Sequence, residues 1–330
     1  MSVGVEPTVG SLRPGPSVEG SEQVIGRSLE GRPLRVRFAG PRSAPLRVLV
    51  MAGQHGDEPG ARQSTARFLG GFVSDPPAEL RDRVRIAMLE DANPDGAARG
   101  SRWNAEGRDL NRDHLELTSC ETRAVHAGIR SFRPTAVLDV HNDPSRRRHL
   151  VARGRILDTN VLLGFPTHPA ARAPVRWTNL LDRARADLAQ GGYTLGPYLL
   201  FQRSGRVRLS TLQTVDARNG LALRYGLPTV LVEGRAPRRG EGASGRERRV
   251  DAQTLAIRAL VGAHEVHSEE WEAPPGEAAP PVAVQARWTG GGALVRSWVR
   301  AAESAAPVHW EVLEALTRAQ GTQSVRITDA

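Results

Sequence analysis

Three places in the sequence set a metal-binding or proton-accepting side chain directly behind an apolar run: His55 and Glu58 after LRVLVMAG, His141 after TAVLDV, and Glu233 after LPTVLV. Imidazole and carboxylate are good zinc ligands, and a catalytic zinc commonly takes three protein ligands and keeps one position for water. His55, Glu58 and His141 would make such a set. Pro59 biases Glu58 away from helical backbone and suits the opening position of a helix. The stretch from His55 to Glu58 therefore reads as a tight turn that aims both side chains at one point. An HxxE pair alone is weak, since in a loop it is more often a surface feature, and Asp57 inside it reads as a bystander.

The pair gains weight from four motifs later in the chain. NPDG at 93–96, RWNAEGRDLNR at 102–112, LDVH at 138–141 and VLVE at 230–233 come after HGDE in that order. In this five-part order, from about Ile25 to His264, the sequence resembles the M14-type zinc carboxypeptidases and their succinylglutamate desuccinylase and aspartoacylase-like relatives. The resemblance implies one Zn2+ per chain, held by His55, Glu58 and His141. Zinc lowers the pKa of a bound water to about 7 and polarises a carbonyl, which attack on an amide requires. The resemblance also assigns Glu233 as general base, taking the water proton and delivering it to the leaving amine. It makes Arg102 the fixed cation beside the developing oxyanion. Asn111 and Arg112 would hold the substrate's terminal carboxylate, which a guanidinium grips through both oxygens. Asp109 would orient the His55 ring from outside the ligand set. Asp139, two residues before His141 on a strand, shares its face and reads either as a support for that ring or as a buried hydrogen-bond partner.

Two features depart from the family pattern. A tyrosine on a mobile loop is expected roughly twenty residues before the catalytic glutamate, yet TLQTVDARNG has none, and Tyr193, Tyr198 and Tyr225 are the only tyrosines. Only 82 residues separate Glu58 from His141, so the loops shaping a side-chain pocket must be short or come from elsewhere, such as 143–172 or 191–220. The remaining histidines, His114, His126, His149, His168 and His309, lack companions at ligand spacing and read as surface or hydrogen-bonded core positions. His264 and His267 would bind metal only adventitiously. Cys120 has no nearby base and reads as a small buried residue.

The elements that must position these groups follow from the apolar periodicity. IGRSLEGRPLRVRFAG suggests a hairpin; LRVLVMAG, VRIAML, TAVLDV and LPTVLVE suggest buried strands. Helices are predicted after Pro59, over 118–132 with Thr118 and Glu121 as a capping box, over 173–190, and through VDAQTLAIRALVGAH. Strands alternating with helices predict an α/β fold, a zinc-carboxypeptidase-like mixed sheet covered by helices on both faces. The predicted organisation is a flexible arm at 1–22, a catalytic domain at 23–265, a linker at 266–283 and a small β-rich extension at 284–330, where ARWTGGGALVRSWV places a glycine turn between strand-like stretches.

Composition narrows the function classes. The net charge is +9, but all 45 basic residues are arginine, spread along the chain with few stacking aromatics, which argues for biased residue usage and against nucleic acid as partner. The clusters at 146–148 and 235–249 read as solvated loops. No window reaches the length of a membrane span, and a single cysteine permits no internal disulfide, so a cytoplasmic location is expected. The leading expectation is a metallocarboxypeptidase acting on a small peptide. The alternative is a zinc deacylase or amidase acting on an N-acyl amino acid or a peptidoglycan-derived peptide; a polyanion-binding module is the third.

Overall fold

The computed structural model describes residues 21–114, 116–142, 151–152, 155–156, 158–163, 174–197, 199–201, 207–209, 216–225, 227, 229–235, 240–267, 282–287 and 324–329. The arm and most of the linker lie outside these residues. Along the chain come β1 (Glu22–Arg27), β2 (Pro33–Ala39), β3 (Leu46–Ala52), α1 (Pro59–Ser74), β4 (Val84–Leu89), α2 (Pro94–Arg99), a short 3-10 turn at Leu110–Arg112, α3 (Cys120–Phe132) and β5 (Ala136–Asn142). Next are β6 (Val151–Ala152), β7 (Arg155–Ile156), β8 (Thr159–Leu163), α4 (Pro174–Gln190), β9 (Leu195–Pro197), β10 (Leu199–Phe201), β11 (Val207–Leu209), α5 (Ala217–Tyr225), β12 (Thr229–Gly234), α6 (Ala243–His267), β13 (Val282–Arg287) and β14 (Ser324–Asp329).

Eight strands form one mixed sheet in the order β1-β2-β4-β3-β5-β12-β8-β9. Its centre is parallel: β4, β3, β5 and β12 run together, and β4, β5 and β12 are buried along their whole length, as strands covered on both faces must be. Alternation splits the side chains between two cores. Val48, Val50, Leu138, Val140, Val230 and Val232 pack with α1 and α6, while Leu49, Met51 and Val137 pack with Val125, Ile129 and Leu221 of α3 and α5. By the same period of two, Asp139 and His141 on β5, with Glu233 on β12, belong to the α3 and α5 face. β13 and β14 pair antiparallel.

The hairpin, the four buried strands and the helix after Pro59 form where the sequence predicts them. The elements from β1 to α6 span Glu22–His267. The capping box is not observed. α3 starts at Cys120, and the backbone N–H groups of Thr118 and Ser119 donate at 2.8 Å to the two oxygens of Asp113, while Glu121 turns inward and accepts from Asn104 Nδ2 and Leu29 N, each at 3.3 Å. A buried carboxylate that can accept from a neighbouring loop outcompetes a local cap. The 191–220 stretch, expected as loop, carries three short strands and the start of α5, whereas 143–150 and 164–173 lie outside the described residues. The cluster 235–249 is not simply a solvated loop. Arg235 is buried and ion-paired with Glu241, and Arg248 Nη2 lies 3.2 Å from Asp158 Oδ2, so these cations are matched by carboxylates. The cluster at 146–148 lies outside the described residues. No helix among the described residues is long and apolar enough to cross a membrane.

Candidate metal centre

β3 ends at Ala52, Gly53 turns with φ +72°, and the chain folds back so that Glu58 precedes α1. The turn is pinned from behind by NPDG. Asn93 caps α2 by accepting from Gly96 N at 2.9 Å, and its Nδ2 donates to the Gln54 carbonyl at 3.2 Å. Gly56 lies so close to α2 that a Cβ there would stand 2.0 Å from the Gly96 carbonyl carbon. Gly56→Ala must therefore displace the turn that carries both ligands; a lowered melting temperature together with weakened zinc binding is expected, with an overpacking cost of at least about 1–3 kcal/mol, measurable by thermal denaturation and chelator competition.

His55, Glu58 and His141 are all buried, with one donor atom from each lying within 4.8 Å of the others. His55 Nδ1 is 2.6 Å from Glu58 Oε1, and His141 Nδ1 is 3.0 Å from Glu58 Oε2 and 3.1 Å from His55 Nδ1. The far nitrogens face carboxylates: His55 Nε2 is 3.0 Å from Asp109 Oδ1, and His141 Nε2 is 3.1 Å from Asp139 Oδ1. With each ring proton directed to those acids, both Nδ1 lone pairs and the Glu58 carboxylate converge on one point. This arrangement offers a cation two ring nitrogens and a carboxylate, and two imidazoles with one carboxylate form the donor set that suits zinc.

The electrostatics agree. Burial acts to raise Glu58, but the charges and hydrogen bonds of His141 and His55 outweigh it and hold the carboxyl down to about 2. Burial likewise opposes the shift of Asp109, where the His55 ring and the Arg102 and Arg112 guanidiniums hold the carboxyl well below its ordinary range. Arg102 grips Asp109 Oδ2 through Nη2 at 2.8 Å and Nε at 3.1 Å, and its Nη1 lies 3.3 Å from His55 Nδ1, on the side of the converging donors. Asp109→Asn removes the charge that holds both groups; zinc affinity is expected to fall about 10- to 100-fold, read by competition with a chelator.

Glu233 is buried and stands in register beside His141 across the parallel β12–β5 pair, on the same face. Asn111 is buried too: its Oδ1 accepts from Ala217 N at 2.7 Å and its Nδ2 lies 3.2 Å from His141 Nε2. Arg112 is exposed, with Nη1 donating to the Asn111 carbonyl at 2.7 Å. Thus His55, Glu58, His141, Asp109, Arg102 and Asn111 are brought together by direct contacts, Glu233 by strand register, and Arg112 by its neighbour. Cys120 is only half-buried; burial and the adjacent Glu121 push its thiol up to about 12, which suits no nucleophile.

The sequence reading missed Gln253 and Gln54 at this centre. Gln253 on α6 donates through Nε2 to the carbonyls of His141 at 2.7 Å and Val232 at 3.2 Å, and so clamps the two strand ends that present His141 and Glu233. Gln54 donates to Asp139 Oδ1 at 2.7 Å. His114 and His126 do sit in hydrogen-bonded core positions, but as partners of each other, their ring nitrogens 3.0 Å apart. Nothing in the sequence marks Gln253 beyond a polar residue on an apolar helix face. His149, His168 and His309 lie outside the described residues, as do the side chains of His264 and His267.

Residues 21–136 match the family model for zinc carboxypeptidases. Over this stretch the chain is similar to the zinc carboxypeptidases. Curated relatives include carboxypeptidase 2 of Trichophyton rubrum, 36% identical over 186 residues, which cover 54% of this chain and 35% of that protein. Murein peptide amidase A of Escherichia coli K12 is 38% identical over 88 residues, 27% of this chain and 33% of that protein. The chain thus spans about a third of the length of the curated relatives it matches. In fold it is similar to a metallo-carboxypeptidase from Burkholderia cenocepacia, with TM-score 0.56 and 18% identity over 76% of this chain and 66% of that one. Carboxypeptidase A of Helicoverpa armigera is similar at TM-score 0.56 and 15% identity, over 76% and 70% of the two chains. The zinc carboxypeptidase match contains His55, Glu58, Arg102, Asp109, Asn111 and Arg112; His141 and Glu233 lie beyond it and join the site through the sheet.

Proposed function

We propose that this chain is a zinc-dependent metallocarboxypeptidase that hydrolyses the C-terminal amide bond of a small peptide. The observation that carries the reading is the convergence of His55, Glu58 and His141 with Glu233 in register beside them. When bound, zinc supplies Lewis acidity toward the scissile carbonyl and a more acidic water. Glu233 takes a proton from water on its carboxylate and returns it to the departing amine nitrogen. Arg102, held rigid by Asp109, offers Nη1 to the negative charge that develops on the carbonyl oxygen. Arg112 presents a guanidinium to the terminal carboxylate of the peptide.

A second reading is favoured by one contact. The Asn111 amide is buried, with Oδ1 accepting from Ala217 N and Nδ2 packed 3.2 Å from the His141 ring, so a clamp on a terminal carboxylate would rest on Arg112 alone. A deacylase or amidase acting on an N-acyl amino acid or a peptidoglycan-derived peptide needs the same donors, Glu233 and Arg102, and no such clamp. The chain's likeness to the murein peptide amidase supports this reading over the 88 matched residues. The experiment that separates the two is release of free amino acid by zinc-loaded protein from N-acyl dipeptides, each beside its C-terminal amide, with Glu233→Gln as blank. Cleavage confined to free acids supports the carboxypeptidase; cleavage of simple N-acyl amino acids alone supports the deacylase; no cleavage of any substrate overturns both.

A further inference from the structure

Behind the ligand His141 a buried polar chain crosses the α3 and α5 layer. Asp139 Oδ1 lies 3.1 Å from His141 Nε2 and 2.7 Å from Gln54 Nε2; Gln54 Oε1 is 2.6 Å from His114 Nε2; His114 Nδ1 is 3.0 Å from His126 Nε2; and His126 Nδ1 is 2.8 Å from the Tyr225 hydroxyl. Arg130 Nη1 reaches that hydroxyl at 3.4 Å. Asp139, Gln54, His114 and His126 are at most 1% exposed, and Tyr225 at the outer end is half-buried.

The direction of every bond follows from the inner end. A carboxylate only accepts, so Gln54 must turn its NH2 to Asp139 and its carbonyl to His114. That carbonyl only accepts, so His114 carries its proton on Nε2. A neutral imidazole then has a bare Nδ1, which accepts from His126 Nε2, and the bare Nδ1 of His126 accepts from Tyr225. The amide nitrogens flanking His141 Nε2, Gln54 at 3.4 Å and Asn111 at 3.2 Å, cannot accept its proton, whereas Asp139 Oδ1 can. The other oxygen of Asp139 is buried with no hydrogen-bond partner, so this carboxylate leans on its Oδ1 contacts.

We propose that His114, His126 and Tyr225 are positioning residues for the metal centre: a one-way hydrogen-bond chain through Gln54 and Asp139 that locks the His141 ring with its Nε2–H outward and its Nδ1 lone pair toward the cation. The proposal rests on the metal-centre reading above. Partners one bond behind a ligand typically change metal affinity 10- to 100-fold when removed; His114 stands further back from His141, so an effect at the lower end is expected.

The first readout is structural. In protein labelled with 15N in its histidine rings, nitrogen chemical shifts should identify His114 and His126 as neutral Nε2–H tautomers; an Nδ1–H tautomer or a doubly protonated ring at either position overturns the chain. The second is zinc affinity by chelator competition, with folding checked by circular dichroism. His114→Leu is expected to weaken zinc about tenfold. His114→Gln, whose amide NH2 can replace the Nε2 donor, should recover most of it. Tyr225→Phe, at the half-buried end, should weaken zinc less than His114→Leu does. A folded His114→Leu with the parent's zinc affinity overturns the proposal, as does equal loss in the leucine and glutamine variants. Should His114→Leu fail to fold, Tyr225→Phe and the tautomer measurement decide. If the parent chain itself binds no zinc while the tautomers are as stated, the failure lies in the metal-centre reading and not in the chain.

Discussion

Glu233→Gln is expected to lower kcat by about 10²–10⁴ while leaving zinc affinity within a few-fold of the parent. The amide keeps the shape of the carboxylate and its capacity to accept a hydrogen bond, but it cannot hold the proton taken from water. Zinc affinity is insulated because Glu233 is not one of the three converging donors; it stands beside His141 across the strand pair, held there by register and by the Gln253 clamp on the two strand ends. Amino-acid release under single-turnover conditions, together with chelator competition on the same preparation, checks both halves. A variant whose kcat stays within tenfold of the parent would remove Glu233 from the chemistry. A variant that loses zinc as well would make it a part of the metal site.

Removing zinc from the parent is expected to lower its melting temperature by about 5–15 °C, and to do nothing to Glu58→Gln or His141→Ala, which lack a complete donor set. A ligand that binds only the folded state stabilises it by about 2.7 kcal/mol at a hundredfold excess over Kd and about 4 kcal/mol at a thousandfold. Each kcal/mol moves the midpoint of a domain this large by roughly 2–4 °C. The gap should widen as pH rises. In the metal-free protein burial opposes protonation of His141, but the Asp139 and Glu58 carboxylates outweigh it and raise its pKa well above the ordinary value. The stability contributed by that ring in its protonated form is lost as pH climbs through its raised folded pKa. Zinc must displace the same proton, so binding strengthens over the same direction of pH. Equal melting temperatures with and without chelator would refute the metal site outright.

Much of this site is legible in the sequence alone. The turn His55 to Glu58 is encoded by neighbours in sequence, an apolar strand before it and Pro59 after it, and local backbone preferences decide such turns. The order HGDE, NPDG, RWNAEGRDLNR, LDVH and VLVE points to the family, and the pairing of His55 with Asp109 comes with it. The α3 start is misread because Thr118 and Glu121 have the spacing of a cap, while the actual acceptor, Asp113, is set by the fold of the preceding loop. Asn111 reads as a substrate group, and its burial, with Oδ1 accepting from the start of α5, depends on where α5 packs.

By itself the sequence determined which strands are buried, because unbroken apolar runs have no stable place but the middle of a covered sheet, and which residue types stand at their ends. Only the tertiary structure decided that β12 lies beside β5, so that Glu233 meets His141, and that Gln54, His114, His126 and Tyr225 join into one chain. Most of those contacts link residues far apart in sequence or cross from a helix layer to the sheet, and no local spacing records them. They exist because buried polar groups must find partners, and which partner each one finds is settled by packing.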